Sequence, residues 1–116
     1  MTTKTKTEQI AELNDLLRTD PQKIPAWNRR IVRTCGVDSL SEEDLRIVMG
    51  KVRNYKDFSE ENDPYQEHDF GSFSHKDTKY FWKIDYYAPD MMHGSENPAD
   101  LSQTVRVLTI MLANEY

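Results

Sequence analysis

"HDFGSFSHKDTKYFWKIDYY" (residues 68–87) divides into two strand candidates, 68–74 and 79–87, joined by the turn "HKDT". Successive side chains of a strand point to opposite faces. In the second strand Tyr80, Trp82, Ile84 and Tyr86 therefore share one face, and Phe81, Lys83, Asp85 and Tyr87 the other. The acids, histidines and aromatics gathered here suit a reaction centre, a metal site, a binding face or simply a hairpin around a core.

Upstream, Thr5 and Glu8 stand at capping-box spacing, and Ile10, Leu13 and Leu17 recur on one helical face. Asp20-Pro21 ends that helix, because the residue before proline is pushed out of the helical region. "QKIPAWN" (22–28) reads as an irregular connector whose Trp27 folds back onto the core, and "RRIVRTCGV" (29–37) as a short strand closed by Gly36. Ser41 caps a second helix with Asp44 as a capping acid, and Leu40 with Leu45 has staple spacing. Leu45, Val48, Met49 and Val52 form its buried stripe. Residues 56–66 are polar and contain Pro64, as a loop would be, and "APDMMHGSE" (88–96) is a second loop.

Asn97-Pro98 predicts the start of a last helix, with Pro at its first position and Asp100 in its first turn. Leu101, Val105, Leu108 and Leu112 make its stripe, and Val107, Ile110 and Met111 widen it, so this helix is expected to be central. Trp82, Ile84, Leu108 and Leu112 should share one core. The order α-β-α-β-β-α implies α+β: a small, mainly antiparallel sheet of about three strands packed with three helices.

A chain of 116 residues supports one core and one domain, 1–116. The longest largely apolar stretch, "VLTIMLA" (107–113), is far short of the roughly 20 residues a membrane span needs. "MTTKTKTEQ" lacks the apolar region of a secretory signal. Cys35 stands alone, which excludes an internal disulfide and a multi-cysteine zinc site. A cytoplasmic location is the default expectation.

The net charge of −5 is unevenly spread. Residues 1–53 carry ten Lys/Arg against eight Asp/Glu (+2), and residues 54–116 carry five against twelve (−7). From Asp57 to Asp69 there are six acids and no Lys or Arg. That balance disfavours direct binding to nucleic-acid phosphates, which needs concentrated basic residues.

Three blocks, "NDPYQEHDFGSF" (62–73), "FWKIDYY" (81–87) and "RVLTIMLANEY" (106–116), together resemble a family of short bacterial proteins catalogued only as a domain of unknown function. The resemblance spans roughly residues 5–116. It implies a bacterial single-domain protein, often in accessory or mobile-element settings, and supplies no activity and no catalytic residues. At 20–30, "DPQKIPAWNR" and the following Arg30 replace the family's shorter, glycine-containing lead into the first strand.

Several chemistries can be weighed against these residues. A metal site on Glu67, His68 and Asp69 is disfavoured, since consecutive strand residues point apart and no helical two-histidine spacing occurs. A hydrolase reading takes His68, Asp69, Lys83 and Asp85, with two carboxylates holding Mg²⁺ while the lysine steadies a phosphate. Its bland counterpart is an ion pair between Lys83 and Asp85, worth about 0–1 kcal/mol if exposed. Cys35 has no assigned base, and the aromatics at 80–87 lack the basic neighbours of a nucleic-acid stacking platform. Binding remains. Asp57, Glu60, Glu61, Asp63, Glu67 and Asp69, with Tyr65 for contact area, could form an acidic strip for a basic protein surface or nucleoprotein complex. The expectation is thus a small acidic, non-catalytic interaction protein, such as an inhibitor docking on a basic nucleic-acid-handling or defence-system partner (anti-CRISPR-like or DNA-mimic-like). It would need no cofactor, metal, membrane or direct nucleic-acid contact. The alternative is a small metal-dependent phosphodiesterase or other hydrolase using His68, Asp69, Lys83 and Asp85.

Overall fold

The computed structural model describes residues 3–116. Its single sheet has the strand order β1-β4-β3-β2, with β1 at Arg29–Arg33, β2 at Phe70–His75, β3 at Thr78–Tyr87 and β4 at Val105–Leu112. The pairs β2–β3 and β3–β4 are antiparallel, while β1 runs parallel to β4. The described helices are α1 (Lys6–Thr19), the single-turn α2 (Cys35–Asp38) and α3 (Glu42–Arg53). The architecture is α+β.

Local chemistry explains the elements that the sequence marked clearly. The Thr5 hydroxyl accepts from the Glu8 amide and the Glu8 carboxylate accepts from the Thr5 amide, both at 3.1 Å, so the capping box starts α1. Ser41 accepts from the Asp44 amide at 3.1 Å and starts α3. In the hairpin, Lys76 and Asp77 take φ of 50° and 63°. Two successive left-handed residues are what a two-residue turn of type I′ requires.

The expected last helix is a strand. Residues 105–112 are apolar almost throughout and rich in β-branched side chains, a run that suits a buried strand as well as a buried helix. Position decides: β4 lies between β1 and β3, so both of its edges are paired. The start signals at 97–100 are real but cap only a single 3₁₀ turn, Leu101–Gln103, where Asp100 accepts from the Ser102 amide. The sheet accordingly has four strands rather than about three.

Two smaller corrections concern the first strand. It ends at Arg33, and Gly36 lies within α2, where the Glu115 carboxylate accepts from the Thr34 hydroxyl (2.6 Å) and the Gly36 amide (3.0 Å). Trp27 does not fold inward and is 53% exposed.

One face of the sheet packs against α1 and α3. Leu17, Val48 and Val52 from the helices meet Trp82, Ile84, Leu108 and Ile110, while Leu112 packs at the margin. Trp82 lies directly over Gly71: a Cβ there would stand 2.7 Å from Trp82 Cε2 and from Tyr55 Cε1. Both obstacles are ring atoms in a packed core. Gly71→Ala should therefore cost about 1–3 kcal/mol in urea unfolding; an unchanged midpoint would contradict this packing.

Candidate functional site

Helix α1 carries polar residues within its buried side, and they organise the loop before β2. Asn14 is fully buried. Its Nδ2 donates to the Glu67 carbonyl (2.9 Å) and the Tyr86 hydroxyl (2.8 Å), and its Oδ1 accepts from Arg106 Nε (2.9 Å). The amide orientation is forced, because a guanidinium has donors only. The Tyr86 hydroxyl in turn donates to Glu67 Oε1 at 2.9 Å. Arg106 is also fully buried, donates to the Pro98 carbonyl and lies 5.3 Å from the Tyr86 ring centroid. Burial lowers its pKa to about 10, which leaves it charged at neutral pH.

One turn further along α1, Arg18 donates to the carbonyls of Val52 (2.8 Å) and Tyr55 (3.2 Å) at the end of α3. Its guanidinium also covers Trp82 at 4.7 Å and pairs with Asp15 at 2.8 Å. Asp15 in turn holds His68, whose Nδ1 lies 2.9 and 3.0 Å from the two carboxylate oxygens. The imidazole stacks on Phe58 with centroids 3.9 Å apart and planes 4° from parallel.

The loop is pinned from within as well. Asp63, only 4% exposed, accepts from the His68 amide at 3.0 Å. Gln66 and His68 take φ of 60° and 57°, a left-handed conformation costly for residues other than glycine and held here by these contacts. Between the start of α1 and residues 58–68 runs an open cleft of about 970 Å³. Glu8, Glu12, Glu60 and Tyr65 line it at exposed positions, and Asp15, Asp63 and His68 lie deeper.

The acidic strip read from sequence is thus divided. Asp57, Glu60 and Glu61 are exposed, and Tyr65 is 77% exposed beside them. Asp63 is buried in the loop and does not form part of a surface, a correction to its place in the strip. Glu67 is half-buried and engaged by Tyr86. Asp69 is half-buried too, and burial, then the neighbouring charge of Glu67, pushes its carboxyl above the usual range.

The hydrolase residues do not converge. Lys83 and Asp85 pair at 2.9 Å on the sheet face opposite Trp82. His68 lies on the Trp82 side, stacked on Phe58, which packs edge-on against that indole. Among the described residues no group of three or more His, Cys, Asp or Glu is arranged to hold a metal ion. Sequence reading missed Glu8, Glu12 and Asp15, which are ordinary helix positions until the fold lays α1 beside the loop.

A family model covers residues 33–115, from the end of β1 through β4 to the last turn. The chain belongs to the family "Protein of unknown function (DUF3768)". No curated protein matches the chain, and no solved structure does. The DUF3768 match contains the hairpin, β4 and the whole 55–69 loop, while α1, which supplies Asn14, Asp15 and Arg18, precedes it.

Asp69 generates a test of this electrostatic picture. Its raised folded pKa means that its stabilising contribution is complete below the unfolded value of 3.8 and is lost as pH rises through the folded value. At neutral pH the charge opposes folding. Asp69→Asn should therefore melt higher than wild type at pH 7, with the gap closing as pH falls towards 3.8. A variant that melts lower at pH 7 would contradict the assignment.

Proposed function

We propose that the protein is a non-catalytic interaction module that offers its acidic cleft rim to a basic protein surface. The observation that carries this reading is the exposed ring of Tyr65, which lines the same cleft as Glu60, Glu8 and Glu12, the last paired with Lys4 at 2.8 Å, on a loop fixed by buried bonds. Exposed carboxylates raise the encounter rate with a basic patch, and an exposed aromatic adds contact area that charge alone lacks. Pre-organisation of the loop limits the ordering cost of binding.

The partner best suited to such a rim is one whose basic surface otherwise holds DNA or RNA. We accordingly read the protein as an inhibitor of a nucleic-acid-handling or defence-system component, of the anti-CRISPR or DNA-mimic kind. Bacterial origin, a mobile-element setting and a cytoplasmic site of action belong to the same reading. The acidic rim itself opposes direct phosphate binding.

Affinity capture from the source cells, with nuclease treatment, supplies the partner for a kinetic test. Glu8→Gln, Glu12→Gln and Glu60→Gln combined, with Gln at position 8 able to keep the capping box, should slow association about tenfold at low ionic strength and flatten its salt dependence. Melting should move little, since exposed charges contribute within about 0.5 kcal/mol each. Recovery of no partner, or identical salt slopes for wild type and variant, would contradict the proposal.

A further inference from the structure

The two edges of the sheet are finished differently. At β2 the outward amide of Ser72 donates to the Tyr55 hydroxyl at 3.3 Å, and His75 is tied to Asp44 at 2.9 Å, so helix α3 and the residues after it cover that edge. At β1 nothing among the described residues pairs with the outer side. Ile31 and Val32, on opposite faces, are 42% and 44% exposed, and Arg30 and Arg33 beside them are exposed as well.

The ladder fixes which backbone groups are free. Thr34 continues the β1–β4 pairing, its amide donating to the Ile110 carbonyl at 3.1 Å. Alternate residues of a parallel strand turn N–H and C=O to the same side. Arg30 and Val32 therefore serve β4, while Ile31 and Arg33 direct both groups outward. Such an edge is a template for an added strand.

We infer that β1 docks an extended acidic segment of another protein by strand addition. The charge of the edge selects the occupant. Arg29, Arg30 and Arg33 stand against two nearby acids, Asp38, which pairs with Arg33 at 2.9 Å, and Glu115, whose carboxylate is taken up by the Thr34 hydroxyl and the Gly36 amide. Arg29 is committed to the Ile24 carbonyl at 2.8 Å, whereas Arg30 reaches only a backbone carbonyl at 3.4 Å and is free to meet a carboxylate. A second copy of the chain is a poor occupant. Antiparallel self-pairing centred on Ile31 sets Arg29 opposite a second copy's Arg33 at both ends, and like charges directly opposite are destabilising. An incoming strand with carboxylates at the arginines and β-branched residues beside Ile31 and Val32 satisfies both charge and apolar surface. This site is separate from the cleft and does not rest on it.

Panning a phage-displayed library of random eight-residue peptides on the purified full chain tests the inference. Enriched peptides should combine Asp or Glu with β-branched residues. Ile31→Pro deletes an outward N–H while leaving the groups that serve β4, a substitution that edge strands accommodate. It should weaken the selected peptides at least tenfold, as should Arg30→Glu. Residue-resolved amide exchange of the wild type gives a readout independent of any variant: the peptide should slow Ile31 and Arg33 selectively. The inference is overturned by no enrichment, by enriched peptides without acids, or by unchanged exchange at Ile31 and Arg33. It is equally overturned by a concentration-dependent dimer that Ile31→Pro dissociates, since the edge would then belong to a second copy.

Discussion

The amide of Asn14 ties together four parts of the chain at one point. It fastens α1 to the loop through the Glu67 carbonyl, to β3 through the Tyr86 hydroxyl and to β4 through the Arg106 guanidinium. Each of those partners is costly to leave unsatisfied in a buried site, and a buried charge most of all. Arg106 explains why the junction must be polar. Its place on β4 brings a cation into the core between Tyr86 and α1, and the fold can hold it only with acceptors aimed at it. Asn14 supplies one acceptor, and its two remaining hydrogens then position Glu67 and Tyr86.

Arg18 repeats the pattern one turn away with a different purpose. It satisfies carbonyls at the end of α3, covers the Trp82 indole and holds Asp15 against His68. The outcome is a loop whose buried side is occupied by specific bonds and whose outer side carries Glu60, Glu61 and Tyr65. Asp69 sits in this arrangement at a cost in stability, because burial and then the neighbouring carboxylates of Glu67, Asp63 and Asp85 disfavour its charge. Positions held against local preference are where function is commonly found, and Asp69 lies between the loop and the first strand of the hairpin.

Legibility from sequence followed how local each signal was. The hairpin was readable because alternation over 79–87 and the turn after His75 are local facts, and α3 because Ser41 and its stripe lie within a few residues. The stretch 105–112 was misread because an apolar run carries no period of its own, and only its neighbours in the sheet make it a strand. That misreading also hid Arg106. Strand alternation places it with Leu108 and Ile110 on the core face, and in this position it calls for a partner such as Asn14. Asp63 looked like one acid among six, yet its carboxylate is consumed inside the loop by the His68 amide. The acids of α1 gave no signal of a site, Glu8 being legible only as a capping residue, since their place on the cleft depends on packing between residues about fifty positions apart in the chain.

The central claim is that the buried polar junction, rather than the loop's own sequence, holds the acidic rim in place. Unfolding and amide exchange of Asn14→Ala measure this most directly. The expected result is a loss of about 3–5 kcal/mol, the scale set by leaving a buried guanidinium without its partner. Amides of residues 66–69 should exchange faster than can be explained by the global loss, while those of the β2–β3 turn should follow it. A loss below about 0.5 kcal/mol, or loop amides that change only in step with global unfolding, would contradict the account.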